Sequence, residues 1–317
     1  MSRKFEIKKL GMVFEMPDKS NKILVIGSDT YLGAHFTKYW LAAGYEVYGC
    51  GRATKLDESL SRAKYFTGDY STWHFPICNY DWILLCLDPR DGLDLHLKIL
   101  ESLCDHLVNQ GLKSHLCYPS SFAVCEGNSQ RPLEEKASLT PHSELEMTIA
   151  AAELYLRMRS CRADGKLLTY ILRMGEIYGD EFGFDDAPGL FNFYLRNAVR
   201  GDELPMYGLG LKRRTFTHIA DACNFAIQYM KLDFPPNTMN VPGENMRIVD
   251  FLMAIACHYE VETPLASPDE NNVYCNRFAG NQVLSRKLAT SLINYELKYE
   301  FKAWLSQQPR PPAVALG

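Results

Sequence analysis

KILVIGSDTYLGAHFTKYWLAA, residues 22–43, decides the fold. Residues 22–27 form a short, β-branched apolar run that stops at a glycine, and residues 31–43 then carry apolar side chains at helical spacing. The reading is strand, tight turn, helix. After the breaker Gly44, residues 46–50 give a second short strand and complete the first strand-helix-strand unit of an alternating fold.

The alternation continues along the chain. Strands are expected at 63–66, 81–87, 115–120 and 167–174, with helices near 93–110 and 143–159. Strands alternating with helices of this length predict an α/β fold, a Rossmann-like, doubly wound parallel sheet. Past Gly179 the pattern breaks into one helix, 190–200, and short extended pieces, which predicts a smaller C-terminal substrate lobe. The expected organisation is an N-terminal extension (1–20), a dinucleotide-binding domain (21–178), lobe segments (179–306) whose end completes the core, and a proline-rich tail (307–317).

Composition removes several classes of function. A net charge of −4 and the absence of a clustered basic excess argue against nucleic acid as a partner. No apolar run approaches the ~18 residues of a membrane span, and residues 1–20 lack the continuous apolar core of a signal peptide. The 10 cysteines include no CxxC pair with metal spacing, and several lie inside apolar runs; reduced, buried thiols in a cytoplasmic protein are expected, with no metal site.

Gly27-Ser-Asp-Thr-Tyr-Leu-Gly33 joins the first strand to the first helix, with Thr30 where a middle glycine would stand. Glycines there permit a tight turn and let a pyrophosphate approach the backbone N–H groups at the positive end of a helix. At the end of the second strand a dinucleotide fold usually supplies an Asp or Glu to the adenosine ribose, but the chain reads Cys50-Gly51-Arg52. A guanidinium suits a 2'-phosphate, so NADP is preferred over NAD; the alternative is a solvated surface arginine.

Several separate motifs, in order over about residues 22–306, resemble the extended short-chain dehydrogenase/reductase family, the NAD(P)-dependent nucleotide-sugar epimerases and dehydratases. Tyr31-Leu32-Gly33 closes a glycine turn similar to the family's, and Gly68-Asp69 resembles the pair whose Asp reaches the adenine. Ser120-Ser-Phe-Ala-Val-Cys-Glu126, Leu172-Arg-Met-Gly-Glu-Ile-Tyr-Gly179 and Arg214-Thr-Phe-Thr-His-Ile-Ala-Asp221 resemble later family segments, as do Asn240-Val-Pro-Gly243 and Ser285-Arg-Lys-Leu288. The resemblance implies cofactor contacts at Gly27, Thr30, Tyr31, Leu32, Gly33, Arg52, Asp69 and Leu87, an active-site hydroxyl on Ser121, and substrate contacts at Glu176 and Arg214. A nucleotide-sugar substrate and a homodimer are further implications.

One segment departs from the family. In Pro141-His-Ser-Glu-Leu-Glu-Met-Thr-Ile-Ala-Ala-Ala-Glu153, Leu145 stands where the family has Tyr and Ile149 where it has Lys. Hydride transfer from a carbinol carbon needs the hydroxyl proton to leave as well, so a phenolate is held near that oxygen and an ammonium lowers its pKa. Positions i and i+4 share a helix face, and here that face is apolar. Glu176 also replaces the usual Asn of its motif, and a carboxylate beside a substrate phosphate is repulsive.

Two functions follow as expectations. The first is a cofactor-binding scaffold or regulator that has lost standard redox activity. The second is an active epimerase, dehydratase or reductase on an anionic substrate, with a non-standard base. His142, Glu144 and Glu146 flank the vacated positions, and Tyr118 and Tyr178 are further candidates for that base. Ser121 reads equally as a substrate donor or as a strand-end serine satisfying local backbone. His218 and Asp221 read as the start of a helix.

Overall fold

Ile23, Leu24, Val25 and Ile26 are almost completely buried, as a strand covered on both faces must be. The computed structural model describes residues 4–7, 12–15, 22–68, 80–112, 114–125, 132–163, 167–179, 187, 189–262, 266–267 and 281–309. Asp69, Glu126, most of 180–188 and the end of the tail lie outside the described residues.

The described strands are β1 (Lys4–Ile7), β2 (Met12–Glu15), β3 (Lys22–Ile26), β4 (Glu46–Gly51), β5 (Lys64–Thr67), β6 (Trp82–Leu85) and β7 (His115–Ser121). Then come β8 (Leu168–Met174), β9 (Glu176–Tyr178), β10 (Met206–Tyr207), β11 (Arg213–His218), β12 (Thr238–Asn240), β13 (Glu244–Arg247) and β14 (Ala266–Ser267). The longer helices are α1 (Tyr31–Ala42), α2 (Leu93–Asn109), α3 (Glu144–Arg162), α4 (Leu190–Arg200), α5 (Ile219–Tyr229) and α6 (Ile248–Tyr259).

Seven strands make the main parallel sheet in the order β12-β8-β7-β6-β3-β4-β5. The chain runs outward from β3 through β4 to β5, then returns to the other side of β3 with β6. That reversal is a topological switch point, and ligands of such sheets bind beyond the carboxyl ends of the strands flanking it. The expected Rossmann-like α/β fold is what the chain adopts.

Two compact units divide the chain, one made of Met1–Pro119, Thr148–Ile171 and Asp233–Asn237, the other of Ser120–Met147, Leu172–Leu232 and Thr238–Gly317. The segments of the two units interleave along the chain. In the second unit β13-β11-β9 forms a small sheet, and Tyr178, Phe191, Phe216, Phe251 and Phe301 pack into its aromatic core. The sequence reading passed over β9 and α6. Only Gly175 separates β9 from β8, and α6 is so apolar that its helical period has little polar contrast.

Six of the eight described cysteines are buried: Cys50, Cys86, Cys104, Cys117, Cys125 and Cys223. Burial pushes the Cys50 and Cys104 thiols up to about 12, which keeps them protonated. No helix among the described residues is long and apolar enough to cross a membrane.

Inside the first unit His96 of α2 is buried, with Nε2 3.1 Å from the Tyr118 hydroxyl on β7. Desolvation holds the imidazole down to about 4, so the ring beside the phenol is neutral. Unfolded, the same ring takes a proton near its ordinary 6.5. The unfolded chain binds the extra proton between those values, so His96 lowers stability as pH falls from about 6.5 to about 4, and has no such effect above that window. Urea unfolding across that window is expected to show a loss reaching about 3 kcal/mol from this residue. In His96→Gln the slope flattens; an unchanged slope would assign the loss to other groups.

Candidate functional site

Gly27 ends β3 with φ at 78°, in the left-handed region, and its N–H and that of Ser28 both donate to the Cys50 carbonyl, at 2.8 and 3.0 Å. A Cβ on Gly33 would stand 1.9 Å from the Gly27 carbonyl oxygen, so only glycine lets α1 pack this close to the turn. Thr30 caps α1: its hydroxyl accepts from the Gly33 N–H at 3.2 Å and lies 2.7 Å from the Gly27 carbonyl and 3.2 Å from that of Cys86. In place of the middle glycine it ties the turn to the residue after β6. Tyr31 is buried against the His35 ring, Leu32 is half-buried, and Leu87 is buried just past β6.

Arg52 follows the end of β4. Its guanidinium does not stand open; it donates to both oxygens of Asp91, at 2.9 and 2.6 Å, in a forked, partly exposed pair. A carboxylate does reach this strand end, and it comes from the glycine turn. Asp29 Oδ2 accepts from the backbone N–H groups of Arg52 (2.7 Å) and Ala53 (2.8 Å). A Cβ on Gly51 would lie 2.3 Å from Asp29 Oδ1, so the glycine makes room for the carboxylate. A helix N-terminus at the switch point, a tight glycine turn and an acidic group at the second strand's end fit the pyrophosphate and ribose of a dinucleotide.

The second unit brings Glu176 and Arg214 together. Arg214 on β11 is buried, and its Nη1 donates to Glu176 Oε1 on the adjacent β9 at 2.5 Å. The guanidinium also lies over the Phe122 ring, 5.4 Å from its centre. Glu176 Oε2 accepts from the Leu190 N–H at 3.3 Å, so one carboxylate serves both the arginine and the first turn of α4. Glu176 is thus paired with the Arg214 guanidinium.

Leu145 on α3 is 36% exposed and Ile149 is 7% exposed, and both side chains are hydrocarbon. Of the flanking acids, Glu146 is buried, with Oε2 accepting the His142 N–H at 2.7 Å and its own N–H donating to Ser143 Oγ at 3.3 Å. That is the reciprocal arrangement of a helix cap. Glu144 and His142 are exposed. Tyr118 and Tyr178 are both buried, with phenols pushed far above their ordinary pKa by desolvation; the Tyr178 hydroxyl donates to the Tyr299 carbonyl at 3.1 Å.

Ser121 Oγ accepts from the Ala123 N–H at 3.2 Å, in a turn just past the strand end, and its own proton goes to none of the described residues. His218 caps α5 through Nδ1, which accepts from the Ala220 N–H. Asp221 is fully buried and takes the Tyr295 hydroxyl and the N–H groups of Lys298 and Tyr299, tying the C-terminal segment down. Asp29, Asp91 and His96 were missed by sequence reasoning. An acidic residue inside the glycine turn was the one available signal for Asp29.

Residues 86–241 match the NAD dependent epimerase/dehydratase family, and the resemblance drawn from the motifs is borne out. Among solved structures, the chain is similar to UDP-glucose 4-epimerase of Thermotoga maritima bound to UDP-glucose: 16% identity, TM-score 0.74, 90% of this chain and 96% of that one covered. It is also similar to a dTDP-glucose 4,6-dehydratase of Streptomyces venezuelae with NAD bound: 17% identity, TM-score 0.74, 90% and 94% covered. At these identities the likeness is one of fold. A stretch of 75 residues is 32% identical to a Streptomyces dTDP-4-dehydro-6-deoxy-D-allose reductase, spanning 23% of each protein.

Removing one partner of a buried ion pair leaves the other charge without its counter-ion, at a cost of about 3–5 kcal/mol. Glu176→Ala is expected to lose that much in urea unfolding. The double substitution Glu176→Leu, Arg214→Met, which removes both charges, should recover most of it. A single variant within about 0.5 kcal/mol of the parent would mean that Arg214 does not depend on Glu176.

Proposed function

We propose that this chain is an NAD-binding relative of the nucleotide-sugar epimerases and dehydratases that has lost the standard proton-coupled hydride transfer and acts as a ligand-dependent scaffold or regulator. One observation carries the reading. The α3 face that would hold phenol and ammonium holds Leu145 and Ile149, and three of the five candidates for a substitute base are engaged elsewhere: Glu146 in a helix cap, Tyr118 with His96, Tyr178 with a backbone carbonyl. A bound dinucleotide would supply a hydride acceptor, held by the 27–33 turn and the strand-end carboxylate.

For the cofactor, Asp29 supports NAD over NADP. A carboxylate at the end of β4 accepts hydrogen bonds from ribose hydroxyls and repels a 2'-phosphate, and Arg52, which would have favoured that phosphate, is neutralised by Asp91. Calorimetric titration is expected to give tighter binding of NAD+ than of NADP+ by at least tenfold. Asp29→Asn, which keeps an oxygen for the Arg52 and Ala53 N–H groups but removes the charge, narrows that ratio. Preference for NADP+ in the parent chain would overturn the assignment.

The second reading, an active enzyme with a non-standard base, has one point in its favour: the Ser121 hydroxyl keeps a proton to donate to a substrate oxygen. Turnover separates the two. With UDP-glucose and NAD+, the natural chain is expected to stay at background, and the double variant Leu145→Tyr, Ile149→Lys to show weak epimerisation. Measurable turnover by the natural chain that falls on Ser121→Ala would favour the active enzyme.

A further inference from the structure

Gly208-Leu-Gly-Leu-Lys-Arg213, between β10 and β11, leaves two leucines in water: Leu209 is 69% exposed and Leu211 56%. The loop that presents them is fixed at both glycines and by α6. Gly208 and Gly210 sit in the left-handed region, at φ 66° and 62°. The Gly210 and Lys212 carbonyls accept from the Val249 and Ile248 N–H groups, at 2.9 and 3.0 Å, and so answer two donors in the first turn of α6. A Cβ on Gly210 would lie 3.0 Å from that of Val249, so the loop abuts α6 there. Met253 and Cys257, four and eight residues on from Val249, share its helix face and are exposed. The single carboxylate of α6, Asp250, is forked onto Arg247 at 2.7 and 2.6 Å. Those bonds, with the charges of Lys302 and Arg213, hold its carboxyl below the usual range, which sets all three cations around it. Lys212, Arg213 and Lys302 are exposed. The result is an apolar strip with a cationic rim.

We propose that this face docks the second unit on an anionic lipid surface, with Leu209 and Leu211 entering the boundary between headgroups and acyl chains and Lys212, Arg213 and Lys302 against the headgroup phosphates. Binding at such an interface grows with the apolar area inserted and with attraction between basic side chains and acidic lipids, and the face supplies both. Charge argues against a second copy of the chain as the occupant, because a symmetric pair sets each cationic rim against itself. Area argues against an acidic protein. Two leucines and a narrow helix stripe fall well short of the about 800 Å² per partner of a stable protein contact, and a helical ligand needs a groove to lie in. The contact lies on the membrane and spans nothing, in keeping with helices that, among the described residues, are too short or too polar to cross one. Neither the 27–33 turn nor α3 takes part, so the proposal goes beyond the proposed function and does not depend on it.

Sedimentation with lipid vesicles tests the docking. At low salt the full chain is expected to pellet with phosphatidylcholine vesicles that contain about one third phosphatidylglycerol, and to bind pure phosphatidylcholine at least about tenfold more weakly. The double variant Leu209→Ser, Leu211→Ser is expected to lose at least about tenfold in affinity for the anionic vesicles. Its melting temperature and NAD+ affinity stay those of the parent, because both side chains are already in water. Lys212→Gln, Arg213→Gln weakens binding as well and flattens its dependence on salt.

A parent chain that stays in the supernatant with anionic vesicles at low salt would overturn the proposal. Vesicle binding undiminished in the leucine variant would reduce the contact to charge alone and overturn it too, and a clear drop in that variant's melting temperature would make the leucines packing elements. If the parent instead forms dimers that Leu209→Ser, Leu211→Ser dissolves, the face belongs to a second copy and the lipid assignment falls.

Discussion

A guanidinium as buried as that of Arg214 needs an opposite charge close by, and in this chain Glu176 supplies it from the next strand. The pair holds β9 to β11 through side chains as well as backbone. Through its second oxygen Glu176 also answers an N–H group at the start of α4. The aromatic core that includes Phe191 and Phe216 is built from these same elements. Arg214 is thereby part of the protein's own framework. Glu176 is therefore a structural element that joins β9, β11 and α4.

Changes at α3 point in the same direction. Leu145 and Ile149, one turn apart on α3, offer neither a proton acceptor nor a charge, and the helix is sound with them. Helix formation needs neither group: Ser143 and Glu146 cap the start, and Glu153 lies buried within it. The glycine turn is held by a packing constraint that these positions of α3 do not carry. Gly33 is bound to its identity by the 1.9 Å clearance over Gly27, so that turn persists for packing reasons whether or not a cofactor is used.

How much of this the sequence revealed depended on how local the cause was. The first strand, turn and helix were legible because a β-branched run, two glycines and an apolar period lie within one stretch, and helix 190–200 was read to the residue. Contacts across the chain were not. Asp29 reaches Arg52 over 23 positions and Arg214 reaches Glu176 over 38, and neither spacing carries a local pattern. The reading of Cys50-Gly51-Arg52 looked for an acid on the strand itself, and the carboxylate that meets this strand end comes from the turn. Likewise no local pattern marks where the chain crosses between its two units, which it does several times.

The central claim is that a dinucleotide binds here without undergoing the family's hydride transfer. The most direct measurement is the fluorescence of reduced cofactor after the natural protein, saturated with NAD+, is mixed with excess UDP-glucose and followed through a single turnover. No reduced cofactor, in a sample where calorimetry has established NAD+ binding, is the expected result. A burst of NADH approaching one equivalent per chain would contradict it, and would mean that a base other than the residue at position 145 takes the proton.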